Sequence, residues 1–155
     1  MPSVSSLITQ LTIDYPSISF QPAKEFRWSA EQQIIFIDPM VLHAEAFCLH
    51  ELSHAILKHY RYNKDIDLVK LERDAWDYAQ KTLSGKYNVT IPETVIQDNL
   101  DTYRDWLHAR SSCPTCGASG VQSNRSDYHC IACGQNWQVN EARICALRRY
   151  KKMPH

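Results

Sequence analysis

Two groups of residues in this chain have the types and spacing that hold metal ions. The first is His50-Glu51-Leu52-Ser53-His54. On a helix, a step of about 100° per residue returns the fourth position to within about 40° of the first. Both imidazoles then face one point in space, and Glu51 lies beside it, placed to act as a general base on a metal-bound water. The second group is Cys113-Pro114-Thr115-Cys116-Gly117 with Cys130-Ile131-Ala132-Cys133-Gly134, two C-x-x-C-G turns with 13 residues between Cys116 and Cys130. Four thiols in that pairing suit a tetrahedral structural zinc site. The glycine after each second cysteine lets the backbone turn tightly enough for amides to donate to sulfur. The plainer alternatives are an amphipathic helix with two incidental histidines, and a redox dithiol or disulfide pair.

A catalytic zinc needs a third protein ligand and an open position. Downstream acids are Asp65, Asp67, Glu72, Asp74 and Asp77. On a helix over these residues, Glu72 falls beside the apolar positions Leu68, Ala75 and Ala79, whereas Asp74 and Asp77 share the opposite side with Lys70 and Lys81. A glutamate among apolar neighbours needs a partner, because an unpaired buried charge is costly. A zinc shared with His50 and His54 is one such partner; an arginine or a backbone amide is the other. In the first case Glu51 takes a proton from water as it attacks a peptide carbonyl and returns it to the leaving amine. Candidate second donors to the oxyanion are His43, Tyr60, Tyr62, Tyr103 and His108, which the sequence does not rank. Cys48 and Cys145 stand outside both groups and read as small buried apolar residues.

The elements that must position these groups follow from the periodicity. A short helix is expected over Ser3 to Leu11, ended by Tyr15-Pro16. A strand is expected at Ile18 to Phe20, and two more at Phe26 to Ser29 and Gln33 to Ile37, joined by a polar turn. Asp38-Pro39 reads as a helix start, with the helix running through His50 and His54 to about His59. On that continuous helix His43 lies two turns before His50, and His59 falls on the far side. Further helices are expected over Leu68 to Leu83, capped by Asp65 or Asp67, and over Glu93 to about Arg110. Composition changes after Ser111-Ser112, which places a boundary between residues 1–110 and residues 111–155.

The chain has 155 residues, enough for one domain and a small appendage. Its 17 basic and 17 acidic residues balance overall but not locally. Residues 1–110 hold 11 basic and 15 acidic, and residues 111–155 hold 6 and 2. No apolar run approaches the roughly 18 residues of a membrane span, and the N-terminus lacks a signal-peptide pattern. The expectation is a cytoplasmic protein with reduced cysteines. The basic tail, Arg143, Arg148, Arg149, Lys151 and Lys152 around Tyr150, reads first as a solubilising helix face. Its second reading is a weak nucleic-acid contact made together with the cysteine unit.

HELSHAILKH after a strand containing IIFID, followed one helix later by LERDAWDYA, resembles the ImmA/IrrE family of metallopeptidases, over roughly residues 5 to 90. The resemblance implies zinc ligands His50, His54 and Glu72, with Glu51 as general base. It implies an α+β fold: a small gluzincin-like domain, with a short antiparallel sheet and active-site helices, here followed by a four-cysteine zinc ribbon. With the ribbon, two Zn2+ ions are expected, one catalytic and one structural. It further implies a zinc endopeptidase whose substrate is a protein partner, a helix-turn-helix transcriptional repressor, with no membrane involvement. The chain departs from the family at Trp76, where Asn or Asp is common, so a hydrogen-bonding partner from that position is absent. The ribbon is also no part of the family core. A zinc ribbon beside H-E-x-x-H also resembles the SprT-like proteases, whose third ligand is a histidine; His59 and His108 are the nearest here. A non-catalytic zinc-binding adaptor for DNA or protein is the reading from outside enzymology.

Overall fold

The computed structural model describes residues 3–140 and 149–152. The fold is mixed α+β, with helices and two small sheets. The chain forms two compact units, Met1–Tyr60 with Leu71–Gln97, and Arg61–Lys70 with Asp98–His155. The composition change near residue 111 is therefore not where the units divide.

In the first unit, α1 (Val4–Asp14) starts where the Ser3 hydroxyl accepts from the Ser6 N–H at 3.1 Å, an N-cap that satisfies an otherwise orphaned donor. Leu7 and Leu11, one turn apart, are its buried residues. The sheet has the order β1 (Ser19–Pro22), β3 (Ile34–Ile37), β2 (Arg27–Ser29). β3 is central because its IIFI run is the most apolar; Ile35 and Ile37 are buried and alternate with half-buried Ile34 and Phe36. Pro22, which cannot donate to a ladder, lies in an edge strand. β2 pairs antiparallel with β3, as a hairpin through a polar turn requires. β1 pairs parallel with β3, so the sheet is mixed rather than antiparallel. The hairpin already occupies one edge of β3, and β1 takes the other.

α2 runs Ala44–Ile56 and packs on β2, β3 and α1. It is shorter at both ends than the expected 39–59. Asp38 does not cap it: its carboxylate accepts from the Met40 N–H at 3.0 Å, closing a tight turn around Pro39. His43 then adopts a left-handed conformation, φ 62°, as the residue before the helix. Leu42 is 80% exposed in this turn, so it supplies no apolar helix face. At the other end the helix stops in a reversal at Lys58, described below. Burial extends around most of α2, from Ala44 and Ala46 through Cys48, Leu49 and Leu52 to Ser53, as befits a central helix.

α3 (Asp65–Tyr78) begins with the Asp67 carboxylate accepting from the Lys64 N–H at 3.2 Å. It ends in a π-helical turn, Ala79–Leu83, and a last helical turn, α4 (Ser84–Lys86). Tyr87 donates to Asp14 at 2.6 Å, tying the end of α4 to the end of α1. α5 runs Glu93–Ser111.

In the second unit, β4 (Val121–Gln122), β5 (Asp127–His129), β6 (Asn136–Val139) and β7 (Arg149–Lys151) form an antiparallel sheet in that order. Its core is Cys113, Tyr128, Cys130, Trp137 and Val139, with Tyr128 stacked on Trp137. Gly120 is required by close packing: a Cβ there would lie 2.3 Å from the Trp137 ring. Arg149, Tyr150 and Lys151 belong to a strand and not to a helix face, and Lys152 pairs with Asp127 at 2.5 Å. Arg143, Arg148 and Cys145 lie outside the described residues. Among the described residues, no helix is long and apolar enough to cross a membrane.

Candidate metal centres

α2 presents His50 and His54 one turn apart, and α3 presents Glu72. The His50 Nε2 lies 2.8 Å from Glu72 Oε2 and 3.2 Å from His54 Nε2, and His54 Nε2 lies 3.2 Å from Glu72 Oε2. All three side chains are buried. Three donor atoms that close together suit one cation. The edge of a tetrahedron built on zinc–nitrogen or zinc–oxygen bonds of 2.0–2.1 Å is about 3.3 Å. Two unprotonated imidazole nitrogens cannot both hydrogen-bond each other, so a shared cation also resolves the His50–His54 approach. The donor set can therefore hold a metal ion.

The electrostatics agree with the burial. Burial pushes the Glu72 carboxyl up, but hydrogen bonds from His50 and His54 outweigh it and hold Glu72 well below the ordinary carboxylate range. Burial pushes Glu51 up; the charges of His50 and His54 oppose this, Glu72 adds to it, and the Trp28 backbone N–H opposes it, leaving Glu51 raised. One flank of the donor set is aromatic. The Trp76 ring stacks on His50 with centroids 4.1 Å apart, and His50 Nδ1 is buried without a hydrogen-bond partner. Thus Trp76 supplies a stacking face where a hydrogen bond to the ligand is ordinarily found.

His54 is held differently. α2 ends with Lys58 in the left-handed region, φ 58°, the His59 N–H bonded to the His54 carbonyl at 3.0 Å and the Lys58 N–H to the Ala55 carbonyl at 3.3 Å. This pair of bonds is a Schellman reversal. It carries His59 back onto the helix it has just left, and its Nδ1 meets His54 Nδ1 at 3.0 Å. On a continuous helix His59 would sit on the far side. The sequence carries no glycine to mark the reversal; lysine takes the left-handed position. The groove beside His59, about 400 Å³, is lined by Leu57, Asp74, Asp77, Tyr78 and Lys81. Of the residues considered as second oxyanion donors, His43 precedes α2 and Tyr60 is exposed; Tyr62, Tyr103 and His108 belong to the other unit.

The four cysteines converge in the second unit. Cys113 Sγ lies 3.6 Å from Cys133 Sγ, and Cys116 Sγ 3.6 Å from Cys130 Sγ; all four sulfurs lie within 4.8 Å of one another. A disulfide needs about 2.05 Å, whereas the edge of a tetrahedron on 2.3 Å zinc–sulfur bonds is about 3.8 Å. Gly117 and Gly134 both take φ 80°, and their N–H groups bond to the carbonyls of Cys113 and Cys130 at 2.9 and 2.8 Å. Burial pushes the Cys113 thiol up, but the N–H groups of Cys116 and Thr115 pull it down to about 6. The Cys133 N–H lowers Cys130. For Cys133, the Gln135 N–H works downward, and burial with the three other cysteines pushes it up to about 12. Amide donors thus favour the thiolate at Cys113 and Cys130. Cys48 is buried in the first unit, and burial raises its thiol.

Both donor sets lie within single units, and both can hold a metal ion. No family model, curated protein or solved structure matches the chain.

Proposed function

We propose that this chain is a zinc-dependent endopeptidase of the ImmA/IrrE kind, a small gluzincin-like domain with an added zinc ribbon. The observation that carries the reading is the convergence of His50, His54 and Glu72 donor atoms within 3.2 Å, with Glu51 next in sequence to the first ligand. A zinc ion held there supplies Lewis acidity, polarising a peptide carbonyl and making water easier to deprotonate. His50, His54 and Glu72 fix the position of that ion. Glu51, its carboxyl raised by burial, removes a proton from the attacking water and delivers it to the departing amine. The four cysteines hold a second, structural zinc. The substrate is a protein partner, and the family resemblance points to a helix-turn-helix repressor in the cytoplasm.

His59 separates this reading from the SprT-like alternative, in which a histidine is the third ligand. It meets His54 at Nδ1, away from the Nε2 that faces Glu72, which supports the glutamate as the third donor.

Metal content tests the proposal. Two zinc ions per chain are expected, with one lost in His50→Ala and the other retained by the cysteines. Glu51→Gln is expected to keep both ions and the fold while losing about 10²–10⁴-fold in peptide hydrolysis. Zinc only at the cysteines in the unaltered protein makes it an adaptor, and a fully active Glu51→Gln protein removes the mechanism.

A further inference from the structure

We propose that His59 is a positioning residue that fixes the tautomer and orientation of His54 toward a bound metal. The inference rests on the reading of His50, His54 and Glu72 as ligands. To ligate through Nε2, His54 must carry its ring proton on Nδ1. That Nδ1–H needs an acceptor, because a buried donor left unpaired is costly. His59 Nδ1, 3.0 Å away, supplies the lone pair, so His59 carries its own proton on Nε2. The two rings are edge to face, with centroids 5.2 Å apart. The usual brace for a metal-bound histidine is a carboxylate, a backbone carbonyl or water; here it is a second imidazole, delivered by the reversal at Lys58.

The two ligands are therefore held by different means. His50 has a stacked ring and no hydrogen bond at Nδ1, whereas His54 meets His59 at Nδ1. His59 is half-buried and borders the groove lined by Asp74, Asp77 and Tyr78, so replacing it leaves the packed side of α2 intact.

The test uses the full chain, zinc and a chromophoric chelator at fixed pH. His59→Phe keeps an aromatic ring without an acceptor. His59→Asn places an amide oxygen near the position of Nδ1. Zinc affinity at the His50/His54/Glu72 site is expected to fall about 10–100-fold in the Phe variant and to recover to within a few-fold of the unaltered protein in the Asn variant. The cysteine site serves as the internal reference. In the unaltered zinc-loaded protein, ¹⁵N NMR should show His59 protonated at Nε2 and bare at Nδ1. Undiminished affinity in His59→Phe, equal losses in both variants, or a proton on His59 Nδ1 overturns the inference while leaving the ligand assignment standing. If the unaltered protein takes up zinc only at its cysteines, the ligand assignment fails and the inference with it.

Discussion

Glu72 and Asp65 are acids on one helix, and each is buried against its own partner. Glu72 turns to His50 and His54. Asp65, 1% exposed, receives the Arg110 guanidinium at 2.6 Å and the Tyr128 hydroxyl at 2.5 Å. Its backbone N–H donates to the Gln122 side chain at 2.7 Å, and Arg110 also reaches the Asn140 carbonyl. Because both charged groups of the Asp65–Arg110 pair are almost fully withdrawn from water, removing one strands the other. Arg110→Ala is expected to destabilise the protein by about 3–5 kcal/mol, read as a lowered midpoint in urea unfolding. Replacing both residues with leucine should restore part of that loss. A change below about 1 kcal/mol in Arg110→Ala would show that water reaches the pair.

At the scale of elements, helix ends shape the first unit more than helix interiors do. Lys58 takes a left-handed conformation that costs an ordinary residue roughly 1–2 kcal/mol. Lys58→Gly removes that strain and is expected to raise stability by about 1 kcal/mol, measured by thermal unfolding, without changing metal content. Another end is tied by Tyr87 and Asp14. The Tyr87 hydroxyl holds the Asp14 carboxyl below its ordinary value of 3.8. A carboxylate lowered on folding contributes stability above its unfolded pKa, and the contribution disappears as pH falls through the lowered value. The unaltered protein should therefore lose stability as pH falls below about 4, and Tyr87→Phe should flatten that part of the profile. An identical acid limb in the variant would show that the bond contributes nothing to the pH dependence.

For the whole molecule, the two units differ in what holds them together. The first has an extended apolar core including Leu7, Leu11, Ile35, Ile37, Leu49, Leu52 and Leu83. The five-residue core around Trp137 in the second unit includes two of the four cysteines. A cluster that small is expected to gain stability from a metal ion, which its four cysteines could hold. Chelation is expected to speed amide exchange at the turns of Gly117 and Gly134 and along β5 and β6. It should leave β3 and the middle of α2 protected. Unchanged exchange at the cysteine turns after chelation would show that the sheet stands without metal.

Much of this was legible in local pattern. The C-x-x-C-G turns specify their own geometry, since each glycine permits the positive φ that the turn adopts. The IIFI run announces a buried strand, and the helical phase of Glu72 places it among apolar residues before any fold is known. These are short-range consequences of side-chain size, chirality and periodicity. What tertiary structure decided involves groups that are distant in sequence or reversals without a sequence marker. Asp65 looked like a helix cap, and its partner Arg110 is 45 positions away. The parallel pairing of β1 depends on which edge of β3 the hairpin leaves open. His59 depended on a single lysine adopting a conformation that glycine usually takes. HELSH by itself determined that two imidazoles share a helix face; the fold decided that Glu72 completes their donor set and that His59 stands behind His54.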